Sequence, residues 1–530
     1  MRVAVPGVRA VRARLRASVH RPGMSLALVV LLLCAGLAAA LAVDRPPTTT
    51  VADQHSTGST GSTGSTASTD RRVRLVDVAR STAACPEAVV DAASTTEVGL
   101  AGPGATGPVG PGRAARSGSA TLAPLSAGAA APVVRLRAPG AGTAQATVGG
   151  PLVARGSGRS APGLVASQLT RSTNATMRGL AGTTCAASGS DFWFVGSGSV
   201  VGQRGRVYLT NTEPAPAVVD VDLFGPDGPV PAPDAEGVTV AAGEQEVRLL
   251  DALAPGTEWF AVHVRTRQGR ISAAVRDLQV QGLTPLGADW VPAAAAPALR
   301  QLVAGVPGGE GERRLRVVAP GESDAIVRVR LHTGSGDLAP AGLDVIEVPA
   351  GSVTDVDLAP FTGGEAVTVE LDSDTPVTAG VLTLLAPGED RLGEIAYAAA
   401  GVALRPATPG VVAQARTGET VTSTLLLSAP DGPATVEVAP LGSAGTALEV
   451  QVPVGRQVSI DLATVSSAAV FAISVTPSPG SGPVLAVRLV EEAEARGPMV
   501  TSSPVEPGRY AVPVPRVVAD LSTGLRQGTG

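Results

Sequence analysis

One alternating apolar segment occurs three times in the chain at a nearly constant spacing. Its copies start at Ala217, Ala325 and Ala434, which lie 108 and 109 positions apart. Every second residue is apolar, so these side chains share one face of a β-strand and the residues between them face the other way. A unit of about 100 residues with about seven short strands is typical of an immunoglobulin or fibronectin β-sandwich. The spacing therefore predicts an all-β chain with tandem sandwich modules.

Other landmarks keep the same register and divide the chain. A turn that ends in glycine follows the strand in every copy, at Gly243, Gly351 and Gly455. The register predicts three modules: residues 191–299, 300–408 and 409–530. Val165–Ala166 lies about one period before the matching strand of the first module, so residues 71–190 are expected to be β-rich and to form a degenerate module. A last leading strand, at residues 517–519, is expected to pair back onto the third module.

The start of the chain predicts a membrane anchor. Residues 1–23 contain six arginines and no acidic residue, and residues 24–43 contain no charge. Twenty helical residues rise about 30 Å, the thickness of the bilayer core, and arginines favour the cytoplasmic side. We expect a basic cytoplasmic tail, one transmembrane helix in the cell membrane, and the rest of the chain outside the cytoplasm. A cleaved signal peptide is the alternative, since residues 40–42 offer a small-x-small site, and the protein would then be secreted.

Composition narrows the possible partners. Residues 44–70 are rich in Pro, Gly, Ser and Thr and predict a disordered linker. The net charge of −5 becomes −11 when the six arginines of residues 1–23 are left out. An acidic outer part without a basic patch argues against binding to nucleic acid. The expected partners are the membrane, through residues 24–43, and an envelope protein or polysaccharide.

The chain has three cysteines, and two of them predict a disulfide. Cys34 falls in the predicted membrane segment, which leaves Cys85 and Cys185 outside. A lone pair of cysteines in an oxidising compartment usually forms a disulfide. The alternative is two unpaired thiols.

The remaining residues do not predict a catalytic or metal site. There are four histidines: His20, His55, His263 and His332. The last two fall at outward strand positions in different modules and are expected to be solvated. The pair Asp220 and Asp222 has the composition of a glycosidase site, but such alternating positions are expected on a solvent face. We therefore expect no catalytic residues, cofactor or metal.

Aromatic residues are concentrated in the first module. Trp193, Tyr208 and Trp259 are candidate ligand-binding residues, because aromatic faces stack on sugar rings. The alternative is that this module has a larger aromatic core. Burial of Trp193 would favour the core, and exposure beside polar groups would favour a glycan site.

Three segments carry a family resemblance. The segment from Cys185 through Asp191–Gly196, followed by Tyr208–Asn211 and Phe224–Gly228, resembles an uncharacterised family of actinobacterial envelope proteins. The likeness covers about residues 160–300. It implies one N-terminal membrane segment, a low-complexity linker and a β-rich outer part, and it implies no catalytic residues.

These observations predict a non-enzymatic envelope protein. The first expectation is a membrane-tethered scaffold or interaction module. The second is a carbohydrate-binding or cell-wall-polymer-binding protein that uses the aromatic residues near Trp193. A glycan-active hydrolase is a third, disfavoured class.

Overall fold

The computed structural model describes residues 74–89, 92–104, 117–126, 131–146, 149–174, 176–385, 388 and 391–514. These residues belong to one compact unit, residues 71–530. The predicted cytoplasmic tail, transmembrane helix and linker lie outside the described residues, and so does the strand predicted at residues 517–519. Within the described ranges, no helix has the length and apolar character needed to cross a membrane.

The described part of the chain is almost entirely β-structure, which confirms the predicted class. Its two α-helices are single turns, α1 (Leu250–Leu253) and α2 (Ala359–Thr362). Three 3-10 turns lie at Gly158–Ser160, Pro233–Ala235 and Leu462–Thr464. Short apolar runs rich in valine, broken by glycine and proline, favour strands over helices.

The strands form four successive pairs of sheets between β1 (Arg74–Asp77) and β37 (Ala511–Val514). The first pair contains β2 (Arg80–Ala88), β3 (Ser94–Gly102), β4 (Ser119–Pro124), β5 (Val134–Leu136), β6 (Gly140–Gln145), β7 (Gly150–Ser157), β8 (Val165–Ser172), β9 (Gly179–Thr184) and β10 (Ala186–Ala187). The second contains β11 (Asp191–Ser197), β12 (Arg206–Thr210), β13 (Ala217–Gly225), β14 (Gly228–Val230), β15 (Val238–Val240), β16 (Gln245–Leu249), β17 (Phe260–Gln268), β18 (Ser272–Gln281), β19 (Thr284–Val291) and β20 (Ala293–Ala294).

The third pair contains β21 (Ala298–Val306), β22 (Gly311–Val318), β23 (Ala325–His332), β24 (Asp337–Leu338), β25 (Ile346–Val348), β26 (Val353–Asp357), β27 (Val367–Leu385) and β28 (Glu394–Ala399). The fourth contains β29 (Gly410–Arg416), β30 (Val421–Ser428), β31 (Ala434–Leu441), β32 (Leu448–Val452), β33 (Gln457–Asp461), β34 (Val470–Pro477), β35 (Leu485–Glu492) and β36 (Met499–Pro504).

All four pairs share one antiparallel strand order. In each pair, one sheet has three strands in the same order. This order is β2-β7-β4 in the first pair, β11-β17-β13 in the second, β21-β27-β23 in the third and β29-β34-β31 in the fourth. The facing sheet of each pair has four strands in a common order. This order is β6-β3-β8-β9 in the first pair, β16-β12-β18-β19 in the second, β26-β22-β27-β28 in the third and β33-β30-β35-β36 in the fourth. The long β27 serves both sheets, because its first half pairs with β21 and β23 and its second half with β22 and β28. The first pair therefore repeats the topology of the three later ones.

Each pair encloses an apolar core between its two sheets. In the second pair, Val219, Val221 and Leu223 of β13 are buried and pack in one cluster with Val207 of the facing sheet. The predicted alternation along this strand is confirmed for its apolar face. Burial of each such side chain contributes about 1.5–3 kcal/mol to stability.

One polar position of this strand is buried, contrary to expectation. Asp220 is 5% exposed. Its Oδ2 accepts a hydrogen bond from Arg267 Nε at 2.6 Å, and its Oδ1 accepts one from the Gly237 N–H at 2.8 Å. The loop before β15 covers this carboxylate and satisfies it, so the expected solvent face is closed at this point.

The four sheet pairs contact one another in a closed cycle, which we call the ring. The first strand of each pair packs on the facing sheet of the next: β2 on β12 and β18, β11 on β22 and β27, β21 on β30 and β35. The cycle closes because β29 of the fourth pair packs on β3 and β8 of the first. The strands β9, β19, β28 and β36, here called the central strands, contact each other in the same cyclic order.

The two ends of the described chain meet at this closure. β1 pairs with β37 in an antiparallel ribbon, with Arg74 opposite Val514 and Asp77 opposite Ala511. The Val78 N–H extends the pairing by donating to the Tyr510 carbonyl at 3.0 Å.

Candidate functional site

The central strands bring polar groups of all four sheet pairs together. Asp289 on β19 is fully buried, and its Oδ1 accepts hydrogen bonds from the Thr501 hydroxyl at 2.9 Å and the Gly182 N–H at 3.3 Å. Its Oδ2 accepts one from the Tyr397 N–H at 3.3 Å. The donors lie on β36, β9 and β28. One carboxyl group therefore contacts the central strands of the three other sheet pairs.

A buried arginine makes a second set of contacts between the pairs. Arg178, directly before β9, is 1% exposed. Its Nη1 donates to the Gly393 carbonyl at 3.1 Å and lies 3.5 Å from Glu394 Oε2. Its Nη2 donates to the Gly497 carbonyl and lies 3.4 Å from Glu494 Oε2. This side chain connects the first pair to the third and the fourth. We call Arg178, Asp289, Glu394 and Thr501 the polar centre.

Burial changes the proton affinity of the two central carboxyls. Loss of water raises the pKa of Asp289 well above its usual range, although its hydrogen-bond donors act in the opposite direction. Loss of water also raises the pKa of Glu394 well above its usual range, and the charge of Arg178 opposes that rise. Both groups therefore hold a proton more tightly in the folded protein than in the unfolded chain.

A neighbouring network connects the second and third pairs. Asp277 Oδ2 accepts hydrogen bonds from the Tyr397 hydroxyl at 2.5 Å and from Gln279 Nε2 at 2.9 Å. Its Oδ1 accepts one from the Ser197 hydroxyl at 3.1 Å. Burial raises the pKa of Asp277 and raises that of Tyr397 well above its usual range.

This geometry suits a structural role. The side chains of Asp289 and Glu394 are 0% exposed, so a substrate in solution does not reach their oxygens. Buried polar groups that are fully hydrogen-bonded fix one arrangement of the groups around them. Asp289 and Glu394 were not among the residues predicted from the sequence. The available signal was an acidic residue inside an otherwise apolar strand, as in Ala288-Asp289-Trp290-Val291.

A small cavity lies beside the polar centre, where three sheet pairs meet. Its volume is about 50 Å³, and Thr183, Cys185, Ser502 and Glu506 are among its lining residues. This is room for about one or two water molecules. Glu506 lies at the edge of this cavity and is exposed to solvent.

Trp193, a predicted ligand-binding residue, lies between two sheet pairs. It is 5% exposed and stacks on the His263 ring with the centroids 3.8 Å apart. It packs in one cluster with Val318 and Val353 of the third pair. Its ring faces are therefore occupied by the protein itself.

The other two candidate aromatics also lie at contacts between pairs. Tyr208 is 2% exposed and packs with Trp290 against Ala181 of the first pair. Trp259 is only partly buried, and its Nε1 donates to the Val353 carbonyl of the third pair at 3.2 Å. The Arg316 guanidinium lies over the Trp259 ring, 5.7 Å from its centroid. The three candidates do not form one site.

The strand histidines differ from the expected solvated state. His332 is 2% exposed, and its Nε2 is 2.7 Å from Glu370 Oε2. The expectation of a solvated histidine is wrong here, because the end of β23 meets the fourth pair, where the Thr333 carbonyl accepts a hydrogen bond from the Gln457 N–H. His263 is partly buried under Trp193, and loss of water lowers its pKa although neighbouring carboxylates oppose this.

The predicted disulfide between Cys85 and Cys185 is present. It links β2 to the residue that follows β9, so it connects the two sheets of the first pair. Cys85 is 0% and Cys185 6% exposed. Among the residues that the structure describes, no group of three or more His, Cys, Asp or Glu side chains is placed to hold a metal ion.

Fold and site together define an all-β protein in which repeated sheet pairs surround a buried polar centre. The model of the "Family of unknown function (DUF5719)" matches residues 138–463, which is more than half of the chain. The chain belongs to this family, and the predicted resemblance to an uncharacterised family is confirmed.

Comparison with other proteins adds little to this assignment. None of the curated proteins matches the chain. Among solved structures, the chain is similar to a "Biofilm associated protein - BSP domain" at 9% identity, over 85% of this chain and 99% of that one. The TM-score is 0.12, so this likeness carries no conclusion about fold or function.

Proposed function

We propose that the protein is a non-enzymatic scaffold or interaction protein of the cell envelope. Residues 1–23 would lie in the cytoplasm, residues 24–43 would span the cell membrane, and residues 44–70 would tether the outer part. The arginine-rich start and the uncharged segment that follows support this orientation. The disulfide supports an oxidising compartment for the outer part.

The outer part is proposed to consist of immunoglobulin-like or fibronectin-like sandwich modules. The sequence period of about 108 residues and the strand order common to all four sheet pairs support this proposal. The same observations support a fourth, N-terminal module within residues 71–190.

One observation carries the scaffold proposal. The polar centre and the candidate aromatics Trp193 and Tyr208 are used in contacts between sheet pairs. These contacts stabilise one arrangement of a body of more than 400 residues, as a scaffold requires. Partners would then bind on the outer surface of the ring.

Crosslinking in intact cells tests this function. The full chain would carry a photocrosslinking amino acid at Leu283, which is 92% exposed in the turn before β19. A scaffold predicts one or a few specific envelope proteins at this site and at other outer positions. Equal labelling of abundant proteins from every position, with no specific partner, would contradict the proposal. A fluorescent tag at the N-terminus that is resistant to external protease would support the proposed orientation.

A carbohydrate-binding protein is the second candidate. The observation that favours it is the partly exposed Trp259 ring, since aromatic faces stack on sugar rings in binding sites. The test is binding to an array of envelope polysaccharides, read by tryptophan fluorescence. Saturable binding that is lost in Trp259→Ala, with folding intact, would establish this function. A glycan-active hydrolase remains the disfavoured third class.

A further inference from the structure

The contact between the first and fourth sheet pairs differs from the other three contacts in the ring. The chain runs directly from the first pair to the second, from the second to the third, and from the third to the fourth. Among the four contacts that form the ring, only the one between the first and fourth pairs joins sheet pairs that have no direct chain connection. We call this contact the seam, formed by β29, β35 and β36 on one side and β3, β8 and β9 on the other.

Where β3 meets β29, the buried apolar side chains of the seam are mostly small. One cluster joins Ala101 to Val411, Ala413 and Ala472. A Cβ atom at Gly99 would lie 2.7 Å from the Ala413 carbonyl oxygen, so β3 and β29 approach closely here. The equivalent contact between the second and third pairs buries Trp193 instead. Small residues bury less apolar area, and the seam therefore gains less from the hydrophobic effect at this place.

Besides the buried pair of Arg178 with Glu494 described above, the seam has a second apolar cluster and two ion pairs nearer the surface. Leu169 and Leu180 of the first pair pack with Val490 and Met499 of the fourth. Arg171 Nε is 2.5 Å from Glu492 Oε1, and Arg416 Nε is 3.4 Å from Glu97 Oε2. Both arginines are partly exposed, so water and salt weaken these pairs.

Buried polar atoms without partners also lie at the seam. Ser167 Oγ on β8, Gln414 Oε1 on β29 and Arg488 Nε on β35 are buried and have no hydrogen-bond partner among the described residues. Unsatisfied buried polar groups favour a state in which water reaches them. Local opening at the seam would supply that water.

β1 and β37 lie at the two ends of the described chain and pair with each other to form the ribbon. Each strand has four residues and pairs with no other strand among the described residues. Leu75, Val512 and Val514 are 71%, 43% and 42% exposed. An isolated two-stranded ribbon is marginally stable in water.

We infer that the ring opens locally at the seam before any other contact between sheet pairs opens, and that the ribbon of β1 and β37 controls this opening. We call the seam with its ribbon the latch. The first strand of the ribbon begins at Arg74, close in sequence to the predicted linker, which ends at residue 70.

Matched cysteine substitutions test the latch in the full chain. Ala413→Cys on β29 and Ala304→Cys on β21 occupy the same position of the repeat, at the seam and at the adjoining contact. Both sites are buried, 1% and 6% exposed. In a Cys34→Ser background, a maleimide should label the thiol at position 413 at least roughly ten-fold faster than the one at position 304. Equal rates, or faster labelling at position 304, would overturn the inference.

A disulfide between the two strands of the ribbon provides a second test. Val78 and Tyr510 form a hydrogen-bonded pair, so by alternation Leu75 and Pro513 form a non-hydrogen-bonded pair with close Cα atoms. A disulfide from Leu75→Cys/Pro513→Cys should slow labelling at position 413 to the rate at position 304. The double substitution to Ser should not slow it. If the crosslink leaves the rate unchanged, the ribbon does not control the opening and the inference fails.

Hydrogen exchange of the wild-type chain gives a readout without introduced thiols. The amides of β29 should exchange faster than those of β21, its equivalent in the third pair. Slower exchange in β29 would overturn the inference even if the cysteine variants fold poorly.

Discussion

At the scale of single residues, the central carboxyls show how burial makes stability depend on pH. Asp289 and Glu394 lose all contact with water on folding, and this raises the pKa of each carboxyl. A raised pKa means that the folded state binds the proton more tightly than the unfolded state. Their contribution to the unfolding free energy is complete below the unfolded pKa and is lost as the pH rises through the folded pKa.

Glu394→Gln should remove one part of this pH dependence, because the amide does not titrate. We expect the stability of the wild type relative to this variant to fall as the pH rises above 4.5, the ordinary value. The steepest slope would be about 1.4 kcal/mol per pH unit for one group. Urea unfolding of both proteins from about pH 4 to pH 8 measures it. A difference that stays constant with pH would contradict the assignment.

Gly380 is a residue at which the contact between two pairs leaves no space for a side chain. It lies in β27, and a Cβ atom there would overlap the Val195 carbonyl oxygen of the second pair. Gly380→Ala should lower the unfolding free energy by about 1–3 kcal/mol, since a well-packed interior does not accept an extra carbon without strain. Thermal unfolding measures the change.

The matched control for Gly380→Ala is Gly321→Ala in the same sheet pair. Gly321 is exposed, and a Cβ atom there has no neighbour within 4 Å. Its substitution should change stability by less than about 0.5 kcal/mol. If Gly380→Ala changed the unfolding free energy as little as Gly321→Ala, β11 and β27 would not be in close contact.

At the scale of elements, the disulfide holds together the pair with the weakest strand pattern. Cys85 and Cys185 are 100 positions apart, so their bond closes a long loop in the unfolded chain. Cys85→Ser/Cys185→Ser should lower the unfolding free energy by about 2–5 kcal/mol. The measurement is denaturant unfolding of both proteins under non-reducing conditions. An unchanged midpoint would mean that the first pair is held by its packing alone.

The alternation of apolar and polar residues predicts a strand when one of its faces contacts water. It fails when protein covers both faces. β13 and β23 alternate clearly, and their starts at Ala217 and Ala325 were predicted. β3 has almost no exposed position, because the core covers one face and β29 the other. A strand buried on both faces loses its alternation. The first pair was therefore expected only as a degenerate module.

The polar centre could not be predicted for a related reason. Arg178, Asp289, Glu394 and Thr501 are far apart in sequence and do not belong to any motif. Their contacts exist only because four central strands meet, and the alternation within one strand carries no information about such a meeting. The positions of the candidate aromatic residues could not be predicted for the same reason. Trp193 lies on the surface of one sheet pair, and the next pair covers it.

At the scale of the whole molecule, the ring follows from one contact repeated four times. Each pair places its first strand on the facing sheet of the next, and four such steps return to the start. A contact between different surfaces either closes into a ring or continues as an open array. Here closure brings Arg74 directly opposite Val514.

A circular permutation tests whether the ring is closed. A short linker would join residue 514 to residue 74, and new ends would be made between Pro406 and Ala407, in the exposed turn before β29. The permuted chain then connects the first and fourth pairs directly and leaves the third and fourth joined only by packing. Because every contact of the ring is kept, its melting temperature should match that of the unpermuted residues 74–514 to within a few degrees, about 1 kcal/mol or less. The control joins the same ends but opens the chain between Val381 and Leu382, inside β27, which should prevent folding because that strand serves both sheets of the third pair. If the first permutation also failed to fold while the unpermuted residues 74–514 folded, the first and fourth pairs would not be in contact in solution, and the ring would be an open array.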